Sequence, residues 1–262
     1  MKYFIYILLL FATILLLSCD DNTNTNTNTI VNPPDPEYTL VEIYSHNEGY
    51  FTQGFEFVGD TLIESTGEYG RSKLIKYNYT SEDIYNEISL DNIYFGEGLT
   101  VFDSIIYQIT WKENKCFKYS LDSLKLLGEF SYSGDGWGLT HDSTSIIMSN
   151  GSSNIYFRDP ATFDIVREIS VKDSNNYSVS NLNELEYIGN RIYANILNSD
   201  YIVIIDPETG YVERRINLSD LRTMGDGTIS SFNVLNGIAL HPNGNIFVTG
   251  KKWPNIFEIK IK

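Results

Sequence analysis

The 262-residue chain is poor in the residues that build metal centres and disulfide scaffolds: it has two cysteines and three histidines. Two cysteines, Cys19 and Cys116, rule out a disulfide-stapled framework. His46, His141 and His241 are scattered. None belongs to a His-Glu-x-x-His or paired spacing, and no cysteine cluster accompanies them, so nothing in the sequence builds a catalytic zinc site. Positive charge is also scarce, with 19 Lys and Arg against 34 Asp and Glu and a formal charge of −15. A surface of that sign repels nucleic-acid phosphates and anionic lipid, both of which are gripped by clustered Lys and Arg, and this excludes nucleic-acid binding. Stretches of helical periodicity are missing throughout. The one long apolar run, Tyr3 to Leu17, is too short to span a bilayer comfortably.

What is present suits one all-β domain: 42% of residues are hydrophobic and 14% aromatic, enough for a large core. Met1-Lys2 and the apolar run after it have the layout of a secretory signal over residues 1–18. Loss of that segment would remove only one basic residue, Lys2. The ending Leu16-Leu17-Ser18-Cys19 resembles a bacterial lipobox, in which the thiol is acylated and cleavage leaves Cys19 as the new terminus. Ordinary secretion with cleavage near Cys19 is the alternative. The expectation is a lipoprotein of the cell envelope, periplasmic or surface-exposed, that touches the membrane only through the Cys19 anchor. Residues 19–37 then form the lipidated cysteine and a disordered tether, an Asn/Thr tract ending in Pro33-Pro34-Asp35-Pro36 with almost nothing apolar to bury. Residues 38–262 are the folded domain. Within it Cys116 is expected to be a buried or half-buried strand residue with no disulfide and no chemistry.

A short phrase returns five times: Gln53-Gly54-Phe55, Glu97-Gly98-Leu99, Trp137-Gly138-Leu139, Asn183-Glu184-Leu185 and Asn236-Gly237-Ile238. Its second residues are 44, 40, 46 and 53 positions apart. A period of roughly 40 to 50 residues with strand-like content marks a propeller built of four-stranded blades, and five copies predict five. After each phrase come three more short apolar strands, except in the last unit, where the chain ends. Thr39–Ser45 is left over at the other end. The predicted closure has this N-terminal strand complete the last blade and cover an open edge.

In such a ring the residue before each Gly or Glu of the phrase falls at one mouth of the central channel. That places Gln53, Glu97, Trp137, Asn183 and Asn236 together, with Trp111 and Lys251 returning to the same face at the ends of the second strands. One carboxylate, several amides, an ammonium and aromatic walls make a sensible small-molecule site. Polar residues at strand starts also serve merely to satisfy backbone groups. Glu97 stands between Gly96 and Gly98, and Trp137 between Gly136 and Gly138, loops that pack poorly into a core and suit a pocket.

Seven motifs in order, Phe51-Thr52-Gln53-Gly54, Phe95-Gly96-Glu97-Gly98-Leu99-Thr100, Thr110-Trp111, Gly136-Trp137-Gly138-Leu139-Thr140, Asn181 to Tyr187, Asn233 to Ala239 and Val248 to Pro254, resemble the plant and bacterial type of glutaminyl cyclase over roughly Tyr38 to Lys262. The resemblance implies a five-bladed propeller that converts N-terminal glutamine of peptides or proteins to pyroglutamate with release of ammonia. The expected molecule is a monomer without cofactor or catalytic metal. The resemblance assigns acid/base work to Glu97, polar site roles to Lys251, Asn183 and Gln53, and aromatic surroundings to Phe51, Phe95, Trp111 and Trp137. It also implies a tryptophan near Ala194-Asn195, where this chain has Leu197, which widens the apolar wall. Glu97 would take a proton as the amine attacks the γ-carbonyl and return it to the leaving nitrogen. Lys251 and the amides would favour the oxyanion. A lipid-anchored propeller that binds a small ligand or protein partner without chemistry is the alternative, since fold alone does not settle function.

Overall fold

The computed structural model describes residues 35–225 and 229–262. The expected signal peptide, the Cys19 lipidation site and the tether as far as residue 34 lie outside the described residues. Within them, twenty strands form five four-stranded antiparallel sheets. An N-terminal strand, β1 (Tyr38–Ser45), precedes blade one, which is β2 (Thr52–Val58), β3 (Thr61–Thr66), β4 (Lys73–Asn78) and β5 (Ile84–Ser89). Blade two is β6 (Gly96–Phe102), β7 (Ile105–Thr110), β8 (Lys115–Ser120) and β9 (Leu126–Ser131). Blade three is β10 (Leu139–His141), β11 (Ile146–Ser149), β12 (Asn154–Arg158) and β13 (Ile165–Ser170). Blade four is β14 (Leu182–Ile188), β15 (Arg191–Ile196), β16 (Tyr201–Ile205) and β17 (Val212–Asn217). Blade five is β18 (Leu235–Leu240), β19 (Ile246–Gly250) and β20 (Asn255–Ile261), completed by β1. The inner strands β2, β6, β10, β14 and β18 touch in turn and β18 touches β2, closing a five-bladed β-propeller.

β1 runs antiparallel to β20 from Tyr38↔Ile261 to Ser45↔Asn255. The leftover strand thus closes the ring, starting one residue before the expected Thr39. Asp35 and Glu37, expected in the tether, are already pinned to the body. The Asp35 carboxylate accepts the Arg215 amide at 2.8 Å and the Glu37 carbonyl accepts the Lys262 amide at 2.9 Å. The Arg215 amide belongs to the outer edge of blade four, which would otherwise face water.

The sequence of each strand follows from where its two faces go. Successive side chains alternate across a sheet, and here both faces are covered by neighbouring blades. In β3, Leu62 joins the core shared with blade five and Ile63 the core shared with blade two. In β16, Ile202 and Ile204 pack toward blade five, Val203 and Ile205 toward blade three. Continuous apolar runs result, each fully buried side chain contributing roughly 1.5–3 kcal/mol. The outer strands alternate instead between exposed and half-buried positions.

Five blades make a narrow ring, and the repeated glycine answers that narrowness. A Cβ on Gly54 would stand 2.4 Å from the Leu99 amide nitrogen, and one on Gly138 2.1 Å from the Asn183 carbonyl oxygen. The second residue of the phrase is therefore small because the next inner strand lies against it. Blade four carries Glu184 there, and its carboxylate accepts the Ile238 amide of β18 at 2.9 Å. A single 3-10 turn, Ser219–Thr223, was not legible in the sequence because one turn shows no periodicity.

Candidate active site

The residues that open the inner strands sit on irregularities. Register shifts fall between Thr52 and Gly54, Gly96 and Leu99, Leu182 and Leu185, and Leu235 and Ile238. These intervals hold Gln53, Glu97, Asn183 and Asn236. An extra residue in one strand leaves its neighbours unpaired and re-aims a side chain, which frees these groups from the ladder. Trp137 precedes β10, its amide donating to the Ser149 carbonyl at 3.1 Å.

Nine of the ten residues expected in the site line one pocket of about 280 Å³: Phe51, Gln53, Phe95, Glu97, Trp111, Trp137, Asn183, Leu197 and Lys251. The tenth, Asn236, is fully buried behind Gln53 and does not line it. Its Nδ2 donates to the Thr52 carbonyl at 2.9 Å and to Gln53 Oε1 at 3.1 Å. Its bulge passes through Gly237 (φ +131), whose amide is held by Asn195 Oδ1 at 2.9 Å. Asn236 thus occupies the acceptor end of the Gln53 amide and leaves its NH₂ donors uncommitted. Volume does not single this pocket out, since hollows of about 380 Å³ beside Lys76 and about 420 Å³ beside Arg215 are larger. Neither gathers a buried acid with aromatic walls.

Those walls interlock edge to face. Phe95 meets Phe51 at 6.1 Å, Trp111 at 5.6 Å and Tyr69 at 5.3 Å between ring centroids. The Trp111 indole N–H donates to Asp135 at 3.1 Å, and Lys112 Nζ lies 4.3 Å over its ring. Trp137 lies against Gly151, where a Cβ would come within 2.6 Å of the indole. Leu197 completes the apolar lining, so this chain's departure from the tryptophan of the resembled family falls in the pocket wall itself.

Glu97 is held from its backbone. Ser65 Oγ donates to the Glu97 carbonyl, the Gly98 amide to the Trp137 carbonyl at 2.7 Å, and the Gly96 amide to Ser72 Oγ at 2.9 Å. The residue is 5% exposed. Burial pushes its pKa well above the usual carboxylate range, Lys251 draws it back, and the charges of Asp135 and Glu113 push it further up. Burial likewise lowers Lys251, against the pull of Glu97. The Lys251 ammonium lies 4.9 Å from the centre of the Phe51 ring. Two polar atoms of the lining, Asn183 Oδ1 and Trp137 Nε1, are buried without a hydrogen-bond partner. Such groups are costly unless something else satisfies them, and Gln108 Oε1, Asn195 Nδ2, Asn236 Oδ1 and His241 Nε2 share that state away from the pocket.

Asp135, Glu113 and Tyr69 were not anticipated. Glu113 accepts from the Tyr69 hydroxyl at 2.8 Å and from the Phe95 amide at 3.3 Å, bracing the wall. Gly134-Asp135-Gly136, directly before Trp137, was the available signal for Asp135. Among the described residues no three His, Cys, Asp or Glu side chains are grouped as metal ligands. His46 is wholly buried on Glu64, His141 is half-buried with Nδ1 2.9 Å from Thr100 Oγ1, and His241 packs among the rings of Phe57, Tyr79 and Phe247. His241 Nδ1 also accepts the Asn243 amide at 3.3 Å. Cys116 is buried and unpaired, as expected.

Residues 10–261 match the sequence profile of the glutamine cyclotransferases. The chain is 39% identical over 230 residues to a glutaminyl-peptide cyclotransferase of Arabidopsis thaliana, covering 86% of this chain and 72% of the plant protein. The crystal structure of glutaminyl cyclase from Myxococcus xanthus is similar, with a TM-score of 0.81 and 33% identity over 88% of this chain and 99% of the bacterial one.

Proposed function

The chain belongs to the glutamine cyclotransferase family, and on that premise we propose that it is a glutaminyl-peptide cyclotransferase whose acid/base is Glu97 and whose reaction, an aminoacyl transfer, needs no metal. The substrate is a peptide or protein with N-terminal glutamine, its side chain lodged among Phe51, Trp111, Trp137 and Leu197. The α-amine attacks the γ-carbonyl carbon, a C–N bond forms, and the γ-amide nitrogen leaves as ammonia. Glu97 accepts the proton lost by the attacking amine and returns it to the departing nitrogen, so no net proton is gained or lost by the enzyme. The raised Glu97 pKa suits a group that must both take and give a proton near neutrality.

The unpartnered atoms divide the polar work. The Trp137 N–H, the Gln53 NH₂ and Lys251 are donors and suit the γ-carbonyl oxygen as it gains charge. Asn183 Oδ1 is an acceptor and suits an N–H of the substrate. Folding the substrate so that amine and carbonyl meet supplies much of the rate, because the reaction is intramolecular. The observation that carries the proposal is Glu97, a buried carboxyl at the foot of an aromatic pocket, facing a buried lysine.

We further propose that residues 1–18 are a lipoprotein signal and that Cys19 anchors a monomer to the cell envelope. The reading is supported by the lipobox-like Leu16-Leu17-Ser18-Cys19.

The experiment is ammonia release from a glutamine-initiated dipeptide by the protein beginning at Asp35, with Glu97→Gln and a chelator-treated sample alongside. Turnover that disappears with Glu97→Gln and survives the chelator supports the reading. Turnover retained by Glu97→Gln removes Glu97 from its role, and loss with chelator removes metal independence.

A further inference from the structure

Phe232 is 91% exposed, more than any other large apolar residue among the described ones. A lone aromatic on a surface needs no explanation. Its mounting does. Phe232 belongs to the turn Ser230–Asn233, closed by the Asn233 amide on the Ser230 carbonyl at 2.9 Å. On one side Arg222 donates to the carbonyls of Ser230 and Asn233 at 3.1 and 3.0 Å. The same guanidinium pairs with Asp200 at 2.7 Å, in the loop that begins with Leu197. On the other side the Asn233 carbonyl accepts the Trp253 indole N–H at 2.9 Å, and the Asn233 amide side chain donates to the Lys252 carbonyl at 3.3 Å. The Val234 carbonyl then accepts the Lys251 amide at 2.9 Å.

The turn is thus tied to the two loops that bring Leu197 and Lys251 to the pocket. Two residues of chain span at most about 7 Å, so the Phe232 Cα lies within that distance of the Val234 Cα. The ring is solvated, and the turn that carries it is bonded to both of these loops. We propose that Phe232 is a specificity residue that receives the side chain following glutamine and favours large apolar residues there. The inference rests on the cyclotransferase reading. Its chemistry is that of an aromatic contact formed only when the substrate's second residue is itself apolar and large.

The test compares Gln-Phe amide and Gln-Gly amide as substrates of the wild-type protein, Phe232→Ala and Phe232→Tyr. Phe232→Ala should lower kcat/KM for Gln-Phe amide about 5- to 20-fold while Gln-Gly amide changes less than about twofold. Phe232→Tyr should restore the preference. Equal loss on both substrates, or no loss on either, overturns the proposal. If the wild-type protein releases ammonia from neither dipeptide, the cyclotransferase reading fails by itself. Calorimetric binding of the same two dipeptides to wild type and Phe232→Ala then decides the Phe232 proposal: selective weakening of Gln-Phe amide supports it, and no selectivity overturns it. The ring is solvated, so its removal leaves the core untouched.

Discussion

Asp135 acts on Glu97 through its charge. Burial and then the negative charges of Asp135 and Glu113 keep the Glu97 carboxyl protonated to higher pH than a free carboxyl, against the opposing pull of Lys251. Removing one of those charges makes ionisation easier, so the Glu97 pKa must fall. Asp135→Asn keeps an acceptor for the Trp111 indole and loses the charge. The acid limb of its kcat/KM profile is expected to move to lower pH. A limb that stays in place would mean that Glu97 is not the group being titrated. Glu97 itself was legible in the sequence, because a carboxylate between two glycines inside a repeat has few structural uses. Asp135 was not legible as its neighbour, because its effect depends on a distance that no spacing in the chain records.

At the scale of the element, inner strands carry two duties: they form a ladder and they pass within touching distance of the next blade. Glycine meets the second at a cost to the first, since it adds no side chain to the sheet. Gly138→Ala would force a methyl group to 2.1 Å from the Asn183 carbonyl oxygen, and backbone on that side has nowhere to go. The expected result is a lower Tm by roughly 4–10 °C, measured by calorimetry, with activity reduced because Asn183 shifts. An unchanged Tm would show that the ring can open to accept a side chain. Strand positions and order were readable from apolar runs and turn residues. The bulges were not, although they are what turns Gln53, Glu97 and Asn183 into the pocket. Asn236 shows the consequence: equivalent by repeat, it is turned onto Gln53 instead.

At the scale of the whole molecule, buried titratable groups fasten the blades together. Glu56 accepts the Val101 amide at 3.1 Å between blades one and two, and Glu186 accepts the Leu240 amide at 2.9 Å between blades four and five. Burial pushes Glu56 up to about 8 and raises Glu184 and Glu186 as well. His46 bonds Glu64 of blade one at 3.1 Å and the Trp253 carbonyl of blade five at 2.8 Å. Burial alone would lower its pKa, yet Glu64 raises it overall. Glu56, Glu184, Glu186 and His46 each bind a proton more tightly folded than unfolded. For the carboxyls the loss begins near the unfolded value of about 4.5 and for Glu56 is complete above about 8; for His46 it begins near 6.5. Lys251 acts oppositely, but toward the ordinary lysine range, and His141, lowered by burial, opposes the trend below about 6.5 as one group against four. The denaturant midpoint is therefore expected to be higher at pH 5.5 than at pH 7.5. The reverse order would mean that the inner carboxyls are ionised in the folded state.

The sequence by itself determined the number of blades, the strand order and the N-terminal closure. A covalent repeat and period-two burial are properties of the chain, and they survive without any knowledge of angles. It also determined most of the pocket, since positions equivalent by repeat must converge on one axis. Only the tertiary structure decided which equivalent residues face the cavity, because a bulge changes side-chain direction without changing spacing. The same holds for the acids that act on Glu97 and for the solvated ring whose turn is tied to the Leu197 and Lys251 loops. Those relations join residues far apart in the chain, and packing of one blade against the next brings them within range.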